Sequence, residues 1–293
     1  MREIKKMRVY SHTDPEIKPS LEKFSRQTQQ LDALRIPYWI FVQDSNPIGL
    51  VAVGKEPVQL IASPGTPMAI IHLIDTEQPK ENIGNFARQA LKLATGKEIE
   101  YALSVFPSGE KEAIKQFKEI GFQDLDDSYK MVCRLDINFE SSDELRFRQV
   151  QREEIRRFTK VAERFLSGSP DIMLRKALEH LPELPDEFLD FYYSQERFYY
   201  ADKNQQTIGV LDFNPNKGLI SNVGVDPQQR RKGYGRQITL FALQQLKNSG
   251  CKEAYLRAHV ENKPAIHLYE SLGFEKAERY KTLMWKPKEC QTP

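Results

Sequence analysis

Short apolar runs and stretches of helical period alternate along the chain. In the first half, residues 38–42, 49–53 and 68–74 are β-branched or aromatic runs bounded by turn residues, and they predict strands. Residues 82–94 then show helical spacing, followed by a strand over 99–105 and a helix over 110–120. The opening segment to about residue 34 is polar and reads as helical. In the second half the pattern predicts a strand over 145–150, helices over 153–165 and 172–181, and a short helix over 186–194. Pro182 and Pro185 end the second of these helices. Strands over 197–201, 207–213 and 219–225 follow. Strands mixed with helices of these lengths predict an α/β fold with a central sheet.

The two halves repeat. Ala265-x-x-x-Tyr269-x-x-x-Gly273-Phe274 recurs as Ala113-x-x-x-Phe117-x-x-x-Gly121-Phe122, an offset of 152. Val225-Asp226 echoes Ile74-Asp75 and Gly235 echoes Gly84, both at 151, and Ile208-Gly209-Val210 echoes Ile48-Gly49-Leu50 at 160. Shared ancestry of two domain-sized copies is the economical explanation. The polar run Asn138-Phe-Glu-Ser-Ser-Asp-Glu144 is the expected linker, so the predicted domains are 1–138 and 145–293, joined by 139–144.

One stretch carries chemistry: Val223-Gly224-Val225-Asp226-Pro227, then a turn with Arg230, Arg231 and Lys232, then Gly233-Tyr234-Gly235-Arg236. Beyond Gly235 the period becomes helical, with Ile238, Phe241, Ala242 and Leu246 on one face. Strand, basic glycine-containing turn and helix N-terminus together make an anion site. Glycine lets the backbone approach a ligand, and the free amides and dipole of the first helical turn favour negative charge. Ile238 stands where a dinucleotide fingerprint needs its third glycine, and the Gly-Lys-Ser/Thr of a Walker loop is absent. A solvated basic turn with glycines for the bend also fits this stretch. A second motif runs from Asn262 through Ala265 and Tyr269 to Gly273, with Ala265, Leu268, Tyr269 and Leu272 on one helical face. On spacing alone, Asn262 also fits a helix N-cap and Tyr269 a core aromatic.

Arg230-x-x-Gly233-x-Gly235 after a Val-x-Val strand end resembles the acyl-CoA pyrophosphate loop of the GNAT acetyltransferase superfamily. With the repeat, the resemblance covers nearly the whole chain: two tandem GNAT-like domains, each a mixed central sheet flanked by helices, as in tandem members whose C-terminal half acetylates. It implies an acetyl-CoA-dependent N-acetyltransferase, acting on a primary amine of a small molecule, peptide or protein without a covalent enzyme intermediate. It further implies that backbone at Val223, Gly224 and Val225 holds pantetheine. The amides from Arg231 to Arg236, through Lys232, Gly233, Tyr234 and Gly235, would take the pyrophosphate. Asn262 and Ala265 would lie along the cofactor, and Tyr269 would protonate the departing thiolate. Many relatives carry a general-base Glu on the strand entering this loop. Here that strand reads Leu219-Ile-Ser221-Asn222-Val, without a carboxylate, and Asp212 and Glu261 are the nearest candidates. In the first copy Pro79 stands at the place of Arg230, Asn82 at that of Gly233, Phe117 at that of Tyr269 and Glu110 at that of Asn262. That copy reads as degenerate. A non-catalytic acyl-CoA sensor and an aminoacyl or long-chain acyl transferase of the same fold are the alternatives.

Composition narrows the partners. Lys+Arg number 43 against 41 Asp+Glu, which gives no nucleic-acid or acidic-membrane signature. Cys133, Cys251 and Cys290 are three and widely spaced, which points to a reducing compartment, and the N-terminus shows no apolar leader. A soluble cytoplasmic protein is expected. The five histidines show no ligand spacing, so no metal is expected. The aromatic group Phe188, Phe191, Tyr192, Tyr193, Phe198, Tyr199 and Tyr200 divides between core and acceptor pocket in a way the sequence leaves open.

Overall fold

A computed structural model describes residues 7–17, 28–29, 31–32, 35–56, 61–74, 78–136 and 144–287. Most of the opening segment, Asp75, Cys290 and all but Glu144 of the expected linker lie outside the described residues. The chain divides into two compact units, residues 1–58, 63–125 and 280–293, and residues 59–62 and 126–279.

In the first unit β1 (Arg8–Ser11), β2 (Tyr38–Gln43), β3 (Asn46–Lys55), β4 (Pro67–Leu73) and β5 (Tyr101–Pro107) lie side by side in that order. Only β4 and β5 run parallel. Period-two alternation sorts the side chains: Tyr38, Ile40 and Val42 pack on one face, Phe41 on the other. Helices α1 (Lys80–Thr95) and α2 (Lys111–Glu119) bury Phe86 and Phe117 against Phe41 and Phe106.

In the second unit β7 (Arg146–Gln149), β8 (Arg197–Lys203), β9 (Gln206–Asn214), β10 (Leu219–Val225) and β11 (Glu253–His259) form the sheet, again with one parallel pair, β10 and β11. One face is covered by α3 (Ile155–Leu166), α4 (Ile172–His180) and α5 (Asp186–Gln195), through Phe158, Leu189, Phe198 and Val210. The other face carries α6 (Tyr234–Asn248) and α7 (Lys263–Glu270), through Ile238, Leu243 and Ile266 against Leu211, Phe213 and Leu256. The α/β class and the mixed sheets follow the hydrophobic pattern closely.

The units do not follow the expected 1–138 and 145–293 division at their closing strands. In β6 (Gln123–Arg134), Ser128 to Arg134 pair with β11 and bury Met131 and Cys133 in the second unit's core. In β12 (Glu275–Trp285), Tyr280 to Trp285 pair with β5 and bury Leu283 in the first unit's core. Period-two alternation fixes which face of a strand is buried but says nothing about which edge it completes.

Candidate active site

The site begins where β10 leaves β11. Their parallel register holds at Leu219↔Tyr255, backed by the Tyr255 amide donating to the Gly218 carbonyl at 2.8 Å. Farther along the two strands part, and a cavity of about 920 Å³ opens between them. Val223 and Val225 line one wall, and Arg257, Ala258 and His259 the other. Gly224 faces away. A Cβ there would stand 2.7 Å from Val210 and 3.2 Å from Phe165, so glycine is what lets α3 lie against β10.

The basic turn closes one end of the cavity. The Asp226 carboxylate accepts from the Gln228 amide at 3.0 Å and starts a 3-10 turn, Pro227–Gln229. Arg231 (φ 65°) and Gly233 (φ 85°) are both left-handed, and α6 starts at Tyr234. The amides of Arg231, Lys232, Gly233, Tyr234 and Gly235 donate to no protein group among the described residues. Gly235 supplies a close approach, since a Cβ there would sit 3.2 Å from Leu268, whereas Gly233 has open space and is needed for its backbone angle. The result is a cradle of outward amides at a helix N-terminus, flanked by guanidinium groups.

The basic side chains divide their work. Arg230 anchors the turn by donating from Nη2 to the Phe165 carbonyl at 2.7 Å and from Nε to the Val225 carbonyl at 3.3 Å. Arg236 donates to the Ser271 carbonyl at 3.2 Å, and Lys232 to Gln229 Oε1 at 2.8 Å. Tyr234 is buried, its hydroxyl accepting from Lys203 at 2.7 Å. Arg230, Arg231, Gly233, Tyr234, Gly235 and Arg236 line the cavity; Lys232 and Gly224 do not.

Helix α7 forms the next wall. Asn262 caps it, Oδ1 accepting from the Ala265 amide at 3.4 Å, and both residues line the cavity. Tyr269 also lines the cavity, with its ring buried against Phe274. Burial pushes its phenol up to about 12, so it stays protonated at neutral pH. Its hydroxyl has no hydrogen-bond partner among the described residues.

The two carboxylates singled out in the sequence occupy different environments. Glu261 is exposed and lines the cavity. Asp212 is fully buried on β9 and does not line it. Asp212 Oδ2 accepts from Asn222 Nδ2 at 2.8 Å and from the Tyr192 hydroxyl at 3.3 Å, while Oδ1 is unpartnered. Burial and the neighbouring Glu196 charge hold its carboxyl well above the usual range. Glu196, which the sequence reading passed over, accepts from the Ser221 hydroxyl at 3.0 Å and from Asn214 Nδ2 at 3.5 Å. Burial pushes it up to about 7 against the opposing hydrogen bond from Ser221. Its only sequence signal is an acid between an aromatic-rich helix and a strand. A register shift between Ile220 and Asn222 makes Ser221 an extra residue on β10, which turns Ser221 and Asn222 to the same buried acids. Of the aromatic group, none lines the cavity: Phe198 packs with Phe158, Tyr192 and Tyr193, and Phe191 is exposed.

The first unit treats the same positions differently. Its parallel pair stays in register from Met68↔Tyr101 to Ile70↔Leu103, and the Ser104 hydroxyl then donates to the Ile71 carbonyl at 2.7 Å. At Gly84, a Cβ would meet Gln116 Oε1 at 2.4 Å. Gln116 corresponds to Leu268 by the repeat offset, and its amide donates to Glu112 at 2.9 Å. Asn82 is tied to Gln78 at 3.0 Å and to Gln43 at 3.2 Å, so the turn is filled by its own polar side chains.

Among the described residues no group of His, Cys, Asp and Glu is arranged to hold a metal ion, and no helix is long and apolar enough to cross a membrane. The acetyltransferase (GNAT) family model matches residues 167–274, the segment that holds all of the cavity lining except Phe165 and Leu166. A mycothiol acetyltransferase of Thermobifida fusca is 38% identical over 78 residues, 27% of this chain and 24% of the relative. The chain thus spans about a quarter of that relative's length. A GCN5-related N-acetyltransferase from Sphaerobacter thermophilus superimposes with a TM-score of 0.65 at 12% identity, over 96% of this chain and 95% of its own. A tandem GNAT protein from the clavulanic acid biosynthesis pathway gives 0.60 at 13% identity, over 96% and 98%. At those identities the likeness is one of fold, and it extends over the whole chain.

Proposed function

We propose, from the match of the acetyltransferase (GNAT) family model to residues 167–274, that this chain transfers an acetyl group from acetyl-CoA directly to a primary amine, with the work done in the second unit. The acceptor is an amine on a small molecule, peptide or protein. The observation that carries this reading is that a strand splay, a cradle of amides without acceptors among the described residues and an unpartnered phenol meet in one cavity.

The residues fit the donor. The amides from Arg231 to Gly235, with Arg231 beside them, match a pyrophosphate, and Gly235 permits close approach. Backbone groups of Val223 and Val225, freed where β10 leaves β11, suit the amides of a pantetheine arm. Asn262 keeps Nδ2 available while Oδ1 caps α7. Bound acetyl-CoA would supply an activated thioester. An amide on β10 would polarise its carbonyl, and Tyr269 would deliver a proton to the sulfur. The first unit, with its strands closed and its turn filled, serves as a scaffold without a donor site.

Calorimetric titration of acetyl-CoA, followed by transfer of radiolabelled acetyl to amines, tests this. One site per chain, lost in Gly233→Glu, is expected. The new carboxylate has open space but places a negative charge in the anion cradle at a left-handed position. Two sites would show that the first unit binds as well, and no binding would remove the proposal.

A further inference from the structure

An alkyl amine acceptor arrives largely as an ammonium and must lose a proton before it can attack. Of the acids that line the cavity, Glu261 is exposed with open solvent around it and Asp171 is held in an ion pair with Arg257 at 3.0 Å while capping α4, whereas Glu196 and Asp212 are buried away from the cavity surface. Between cavity and buried acids stand two side chains, Ser221 and Asn222, and both line the cavity. Asn222 does not relay a proton, because the group it turns to Asp212 is its Nδ2, an amide nitrogen that donates and cannot accept. Ser221 can, because its hydroxyl already donates to Glu196 and its lone pairs remain available to the cavity.

We propose that Ser221 is a proton relay and Glu196 the terminal proton acceptor for the acceptor amine, with Asp212 holding Glu196 in its working state. The proposal rests on the acetyl-transfer reading above. The ammonium passes a proton to Ser221 Oγ as the Ser221 hydroxyl proton passes to Glu196 Oε2. This leaves a neutral amine and a protonated Glu196. The C–N bond then forms as the C–S bond breaks; the Tyr269 phenol gives its proton to the departing thiolate and is restored by the second proton leaving the amine nitrogen, so one proton is released per amide and free thiol formed, the one that Glu196 takes up and returns to solvent.

Two features support the assignment. The extra residue in β10 has a purpose: it places Ser221 and Asn222 over the acids together. Asp212 Oδ1 is fully buried without a partner while Oδ2 receives two donors, and burial beside the Glu196 charge holds this carboxyl well above the usual range, which favours its neutral form. A single negative charge then resides on Glu196. The groups facing Glu196 are Asp212 on β9, Tyr192 on α5, Lys217 in the turn before β10, and its chain neighbour Arg197 on β8. Of the two cations, Lys217 and Arg197, neither lines the cavity. Glu196 is a positioning residue in the sense that it acts only through Ser221.

Two probes separate this role from a structural one. n-Butylamine is an ammonium at neutral pH, whereas hydroxylamine is already largely neutral. In the intact protein kcat/KM for n-butylamine should fall below an acid limb near 7, set by Glu196. Glu196→Gln should remove that limb and lower kcat/KM on the order of 100-fold for n-butylamine. It should change hydroxylamine less than about tenfold and leave the acetyl-CoA dissociation constant unchanged. Ser221→Ala should reproduce the same split. Without turnover, carbon NMR of the labelled Glu side chains should show one carboxyl titrating near 7 that is missing in Glu196→Gln and moves upward in Ser221→Ala. An unchanged acid limb in Glu196→Gln, or equal losses for the two amines, overturns the relay and leaves acetyl transfer standing. Acetyl-CoA binding without acetylation of either amine overturns both.

Discussion

At the scale of single residues, burial sets the chemistry more than residue type does. On the acetyl-transfer reading Tyr269 would offer a proton because its ring is packed away while its hydroxyl meets no acceptor among the described residues. Tyr269→Phe should therefore lower kcat by about 100-fold or more, with acetyl-CoA affinity and melting temperature unchanged. Kinetics beside calorimetry decides this, and a large loss of stability would assign the tyrosine to the core instead. Glu196 has a stability signature as well. A carboxyl raised in the folded state contributes stability that is fully present below its unfolded value, about 4.3, and is lost as pH rises through about 7. Glu196→Gln abolishes that loss. Relative to the intact protein, the variant should gain on the order of 3 kcal/mol between pH 4 and pH 8, read from urea midpoints at each pH. Little of this was visible beforehand. The sequence marked Asp212 for its nearness in the chain and missed Glu196, since nothing in a linear string says which acid a bulge will face.

Elements place these residues. The turn between β10 and α6 is held at its start by Arg230, whose guanidinium bridges the C-terminal carbonyl of Phe165 and that of Val225. Although basic and beside the anion cradle, Arg230 spends its hydrogen bonds on backbone, while Lys232 reaches only Gln229. Arg230→Met should lower stability by about 1–2 kcal/mol and weaken acetyl-CoA binding through a loosened turn, and Lys232→Met should do neither to that extent. Thermal unfolding and calorimetry on the pair test the difference. Gly233→Ala should cost about 1 kcal/mol from backbone strain alone, because the space around it is open. The turn was legible in the sequence because glycine spacing and a period change are local signals. The anchoring role of Arg230 was not, because Phe165 is 65 residues away.

For the whole molecule, the repeat in sequence corresponds to two units with one plan and unequal sites. Each has a single parallel strand pair, and only the second unit's pair parts after one registered position. Ser104 bonding the Ile71 carbonyl, and Gln116 where the second copy has Leu268, close the first unit's equivalent space. The closing strands set which fragments are viable. A fragment of residues 145–293 lacks Ser128 to Arg134 and exposes the β11 edge along with the Leu256 and Ala254 side of the core. A fragment of residues 126–279 keeps that pairing. The second should give a dispersed amide NMR spectrum and the first should aggregate; equal behaviour would show that β6 is dispensable to the second unit.

The sequence by itself determined the elements, the α/β class, the duplication and the place of the glycine-containing basic turn, because periodicity, glycine placement and repeat offsets are properties of neighbours along the chain. It also distinguished the two turns in residue type, with Pro79 and Asn82 standing where the second copy has Arg230 and Gly233. Only tertiary structure decided which strand completes which sheet edge, which acids share a buried space, and that Ser221 connects them to the cavity. Those outcomes depend on burial and on contacts between residues tens of positions apart, and a bulge of one residue on β10 settles the last of them.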